Sequence, residues 1–130
     1  MPAGLDHLLR TLAAVPPTTR VLCLGDASGE AASLLARLGF EVHTSPTPEA
    51  FGWAAVWADG PEPLAGLGGA LVPGGWAWIA LATETAAPEA LTEMASGAGL
   101  ALAEAPAEAH GPAGRVVRGI YRRGGAGVTG

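Results

Sequence analysis

Leu5, Leu8, Leu9 and Leu12 recur at positions i, i+3, i+4 and i+7, with Gly4 and Asp6 in front and Pro16-Pro17 behind. That spacing predicts an amphipathic helix over residues 4–15. The pattern then changes: Arg20 to Leu24 is apolar without alternation, as in a strand buried on both faces of a parallel sheet. Gly29 to Leu38 is rich in alanine and leucine and reads as a helix, with Gly39 placed to take the left-handed conformation just past its end. Phe40 to Thr44 alternates apolar and polar residues and is stopped by Ser45-Pro46-Thr47-Pro48, which predicts a second strand. Ala54 to Ala58, following Trp53, predicts a further buried strand that runs into a turn at Asp59-Gly60-Pro61. Leu64, Leu67 and Leu71 mark a weak helix, because Gly66, Gly68 and Gly69 each cost about 1 kcal/mol against alanine. Pro73-Gly74-Gly75 reads as a turn and Trp76 to Leu81 as a strand. Pro88 to Ser96 is a helix with proline in its first turn and Gly97 and Gly99 at its close. Leu100 to Glu104 and Arg115 to Arg122 are the last strands, joined by a loop carrying Pro106, His110, Gly111 and Pro112. Strands alternating with helices and then two strands in succession describe an α/β sheet, mostly parallel, with an antiparallel end.

Composition narrows what this sheet does. The 130 residues suit one domain, expected over residues 1–123 with a flexible tail at 124–130. Hydrophobic residues make up 49% and charged residues 15%, so the chain is expected to fold around a core. No apolar run approaches the roughly 18–20 residues of a membrane helix, and a cytoplasmic protein with no membrane partner is expected. The single cysteine, Cys23, falls within an apolar strand and reads as a core residue. A net charge of -5 argues against nucleic acid as a partner. Arg115, Arg118, Arg122 and Arg123 are the one basic cluster and read as a solvated face. His7, His43 and His110 are scattered rather than spaced as ligands, so no metal site is expected. Trp53, Trp57, Trp76 and Trp78 fall in or beside two strands and read as core rather than as a stacking platform.

The richest chemistry lies where the first strand ends. A strand, a tight glycine turn and a helix N-terminus together present backbone N–H groups and a positive dipole end, which suits an anionic or carboxylate-bearing ligand. The stretch RVLCLGDASGEAASLLARLGFEV resembles the first strand, glycine loop, helix and second strand of class I S-adenosylmethionine-dependent methyltransferases. LVPGGWAWIAL looks like that family's fifth strand, MASGAGLALAEAP like its last helix and sixth strand, and GRVVRGIYRR like its closing strand. The resemblance covers about residues 4–123. It implies a three-layer, Rossmann-like α/β fold, S-adenosylmethionine as cofactor and a small-molecule substrate. The cofactor-binding positions it implies are Gly25, Asp26, Ala27, Gly29, Thr44 and Asp59; it assigns no catalytic residue.

Three departures from the family pattern shape the expected function. Ala27 stands where the loop G-x-G-x-G has its middle glycine. The second strand ends His43-Thr44-Ser45-Pro46, where the family carries an Asp or Glu that accepts the ribose hydroxyls, and the next carboxylate is Glu49. A neutral hydroxyl bonds roughly half as strongly as a carboxylate, so weak cofactor binding is expected. Asp59 stands where some of these enzymes position a nucleophilic nitrogen, although from the residues alone a helix cap or Asx turn is the favoured explanation. Between Pro46 and Trp53 there is too little chain for the family's third strand and its helices, so the expected strand order in family numbering is 2-1-4-5-7-6 with strand seven antiparallel. Two functions remain: a non-catalytic binding or assembly module, which the departures favour, or an active small-substrate methyltransferase completed by a partner chain. The loss of strand three leaves Phe40 to Thr44 at an edge, where a second copy or another protein is expected to bind.

Overall fold

The computed structural model describes residues 5–16, 18–25, 29–58, 62–64, 66–81, 88–111 and 114–123. The first helix, α1 (Leu5–Leu12), buries Leu5, Leu8 and Leu12, and carries Asp6 in its first turn and Arg10 in its last, as the helix dipole favours. Strand β1 (Arg20–Leu24) follows, then α2 (Glu30–Arg37), β2 (Glu41–His43), β3 (Phe51–Ala58), a 3-10 turn at Glu62–Leu64, α3 (Leu67–Ala70), β4 (Leu71–Leu81), α4 (Pro88–Gly97), β5 (Leu100–Gly111) and β6 (Gly114–Arg123). The expected tail at 124–130 lies outside the described residues. No described helix is long and apolar enough to cross a membrane.

The strands form one six-stranded sheet in the order β2-β1-β3-β4-β6-β5. The pairs β2–β1, β1–β3 and β3–β4 are parallel, and β6 runs antiparallel to both β4 and β5. This is the expected order, with no described strand outside β2.

A parallel crossover ordinarily takes a dozen or more residues because the chain must run back a full strand length. Here residues 44–50 suffice. His43 is level with Leu22 and Trp53 with Val21, so the return is short: roughly 10 Å along the sheet and about 10 Å across β1, within the reach of seven extended residues. The linker is held at its far end, where the backbone N–H groups of Glu49 and Ala50 donate to the carbonyls of Gly69 and Ala70.

Two strand assignments differ from the sequence pattern. Pro73-Gly74-Gly75 does not separate a helix from a strand but lies inside β4. Between the pairs Phe51–Leu71 and Trp53–Trp76, β3 advances two residues and β4 five, and the surplus bulges out through the glycines. A side chain at Gly75 would meet the carbonyl oxygen of Val72 at 2.8 Å and that of Phe51 at 3.3 Å. The expected loop at Pro106–Gly111 is instead the second half of β5. Proline is tolerated there because β5 is an edge strand and its ladder is already irregular between Leu102 and Ala107.

Both faces of the sheet are buried. On one, Leu22, Val56, Ile79 and Tyr121 pack under α3 and α4. On the other, Val21, Cys23, Ala55 and Ala80 pack under α1 and α2, and all four tryptophans lie on this face. Six strands span about 24 Å between outer strands, while two helices cover about 20 Å. The indoles fill the remainder: Trp53 and Trp76 stack at 5.7 Å with an interplanar angle of 13°. Of the four arginines read from sequence as a solvated face, Arg122 is exposed and Arg123 half-buried, and both also make contacts at the rim of the sheet. Arg122 lies 4.8 Å over the Trp76 ring and donates to the Gly74 carbonyl. Arg123 donates to the Leu71 carbonyl and pairs with Glu49 at 3.3 Å. Arg118 is half-buried, and the Arg115 side chain lies outside the described residues.

The glycines of α3 give a paired test of this packing. A methyl at Gly68 would meet the Ala98 carbonyl oxygen at 2.4 Å, whereas one at Gly69 meets nothing within 4 Å. Urea denaturation should show Gly68→Ala destabilised by about 1–3 kcal/mol. Gly69→Ala should be neutral or stabilised by about 0.5–1 kcal/mol.

Candidate functional site

The carboxyl edge of the parallel strands is formed by the ends of β1, β3 and β4. At the end of β1 the chain turns on Gly25, whose φ is +79°. A Cβ there would stand 1.9 Å from the carbonyl oxygen of Trp57. Glycine is therefore required twice, for its backbone conformation and for the closeness of β3. Gly29, with φ +73°, is the residue before α2; no side chain caps the helix there, and a Cβ would meet nothing within 4 Å. One glycine thus faces the protein and the other faces open space. Asp26, Ala27 and Asp59 lie outside the described residues.

Thr44 is exposed and follows directly on β2. The β1–β2 register ends at Leu22–His43, so Thr44 is level with Cys23, two positions short of Gly25. The wall on this side of the corner is low. Glu49, the next carboxylate along the chain, is not available to the corner: it sits before β3 at the opposite end of the sheet, bonded to Arg123. Its φ of +48° lies in the left-handed region. Glu41 lies on β2 itself, where it pairs with Arg20 at 2.7 Å and His43 at 2.8 Å. The hydrogen bond from His43 holds its carboxyl below the usual range, with Arg20 adding to the effect.

On the other side of Gly25 the sequence reading missed a connected aromatic set. Trp57 contacts Trp78, ring centroids 5.2 Å apart and tilted by 59°. The Trp78 indole N–H donates to Nδ1 of His7 on α1 at 2.9 Å. Burial lowers the His7 pKa from its usual 6.5, and Arg118 lowers it further. The tryptophans were legible as core; His7 looked isolated because 71 residues separate it from its partner. Among the described residues, no three His, Cys, Asp or Glu side chains converge as metal ligands.

The contrast between the two corner glycines predicts different costs. Gly29→Ala should lose about 1–2 kcal/mol, the cost of a left-handed alanine. Gly25→Ala should lose at least about 2 kcal/mol more, because its methyl also pushes β1 from β3. Chemical denaturation of both variants measures the difference.

No sequence-family profile and no curated protein sequence matches the chain. Solved structures do match it in fold. A 1,6-didemethyltoxoflavin-N1-methyltransferase from Burkholderia thailandensis, with bound 1,6-didemethyltoxoflavin and S-adenosylhomocysteine, is 13% identical with a TM-score of 0.69, covering 93% of this chain and 76% of that one. The methyltransferase in a Haloferax volcanii complex with the activator Trm112 matches with a TM-score of 0.66 and 12% identity, covering 94% of this chain and 90% of that one. Phosphoethanolamine N-methyltransferase 2 of Haemonchus contortus, in complex with phosphomonomethylethanolamine and S-adenosylhomocysteine, matches with a TM-score of 0.60 and 15% identity. The match covers 74% of this chain, which spans only 36% of the Haemonchus chain. The strand order, the glycine corner and these likenesses agree: the chain has the class I S-adenosylmethionine-dependent methyltransferase fold.

Proposed function

We propose that the chain is a methyltransferase-like domain that binds S-adenosylmethionine or its demethylated product weakly at the Gly25–Gly29 corner, and serves as a binding or assembly module rather than an efficient catalyst. The observation that carries this reading is the asymmetry of the corner. Gly25 is packed tightly on Trp57 and Gly29 opens outward, which suits a ligand approaching the backbone at the start of α2. On the β2 side the sheet stops short, and Thr44 offers a hydroxyl where a carboxylate would bind ribose most strongly. When bound, the cofactor would supply a sulfonium methyl group. The corner would hold its amino-acid end, and alignment with an acceptor would have to come largely from elsewhere.

A second reading is favoured by the likeness to the Haloferax protein, which was solved with its activator. In that reading a partner chain, or a second copy, supplies the missing wall beside β2, and the assembled pair transfers methyl groups to a small molecule.

Titration calorimetry with S-adenosylhomocysteine tests the site. The dissociation constant should be about 100 μM, since loss of a charge-assisted bond costs about 1.5–3 kcal/mol and each 1.4 kcal/mol is tenfold. Gly29→Asn is the informative block, because asparagine tolerates the left-handed conformation while filling the open space. It should weaken binding at least about tenfold with little loss of stability. Thr44→Glu should strengthen binding about tenfold by restoring a carboxylate. Low-micromolar binding by the wild type would overturn the module reading in favour of an enzyme, and no binding at millimolar ligand would remove the site.

A further inference from the structure

Trp78 is fully buried in the middle of β4, and its indole N–H must find an acceptor or lose the desolvation energy of an orphaned donor. The acceptor is Nδ1 of His7, half-buried on α1, at 2.9 Å. A ring nitrogen that accepts carries no proton, so this bond exists only with the imidazole neutral and its proton on Nε2. Protonation would set N–H against N–H. The bond is also well placed to matter. Trp78 packs on Trp57, and the Trp57 carbonyl is the surface on which Gly25 turns. Helix α1 has eight residues, too few to persist alone in water, so its docking and its folding are one event. Leu5, Leu8 and Leu12 supply the apolar part of that docking.

We propose that α1 is a pH-sensitive cover on the Trp57–Trp78 wall, latched by neutral His7 and released when His7 is protonated, so that the glycine corner loosens in acid. The charged groups acting on His7 are Arg118 of β6 and Arg10 of α1, which disfavour its proton, and Glu104 of β5, which favours it; burial is the largest influence and also disfavours it. The docked histidine therefore titrates below 6.5, the value it regains when α1 leaves. Between these two values the undocked state binds more protons. The latch contributes fully above pH 6.5 and is lost as pH falls through that window. The latch does not depend on the ligand proposed above; only its effect on affinity rests on that reading.

The test is heteronuclear NMR on the full chain without ligand, following the Trp78 indole N–H, assigned by its absence in Trp78→Phe, and the amide protection factors of α1. In the wild type the indole resonance should move with the His7 titration. Protection of α1, corrected for intrinsic exchange, should fall between pH 7.5 and 5.0 while β3 and β4 keep theirs. His7→Asn places an acceptor oxygen near the Nδ1 position that does not titrate, and should hold α1 equally at both pH values. His7→Phe should leave α1 poorly protected at both. Constant protection of α1 in the wild type, or the same acid loss in His7→Asn, would overturn the latch. A parallel titration with S-adenosylhomocysteine should weaken in acid for the wild type and not for His7→Asn. If no form binds at pH 7.5, the ligand site fails while the protection factors still decide the latch.

Discussion

A sheet buried on both faces must be covered on both, and this chain has little helix with which to do it. On the face of α1 and α2, two eight-residue helices lie across six strands. Much of what is distinctive in the molecule answers that shortage. Four tryptophans crowd onto this face and none onto the other, each burying roughly 150–250 Å². Arg122 covers the outer indole, and the indole N–H of the fully buried Trp78 is met by a histidine from the helix above. On the opposite face the linker at 44–50 is fastened down by Glu49, Ala50 and Arg123, where a longer connection would have supplied a helix.

The candidate site inherits both the strength and the weakness of this economy. Its Trp57 side is dense and continuous with the core, and that density forces glycine at position 25 independently of any ligand. Its β2 side rests on a three-residue strand with an exposed end. Glu41 pairs with both His43 and Arg20, leaving the edge polar and charged, which discourages indiscriminate strand addition.

The fold was largely legible because parallel strands buried on both faces announce themselves as short apolar runs, and Val21 to Cys23 and Ala54 to Ala58 do so plainly. The order of the strands followed from the family resemblance, less the third strand that the chain between Pro46 and Trp53 is too short to contain. Two boundaries were not legible. Pro73-Gly74-Gly75 carries the residues of a turn, and only the register against Phe51 shows that they form a bulge within a strand. Pro106 argues against a strand locally, yet pairing to β6 overrides it at an edge. At the site, Gly25 and Gly29 looked equivalent in sequence, and only the position of the Trp57 carbonyl separates their roles. Glu49 was legible only as the next carboxylate after β2, because distance along the chain does not reveal which end of the sheet a residue reaches.

The β5–β6 hairpin has a consequence for how the chain reaches this structure. Gly111 pairs with Gly114, so the last two strands are neighbours in sequence as well as in the sheet, and hairpins of this kind close in about 1–10 μs. The first strands face the opposite situation: Leu22 must find Ala54, and Val56 must find Ile79, with long stretches of chain between them. On the ribosome the slow-pairing apolar strands emerge before the fast-closing hairpin, at roughly 5–20 residues per second. The nascent amino-terminal half therefore waits, with its apolar strands uncovered, for β4 and for the segment that closes the sheet behind it.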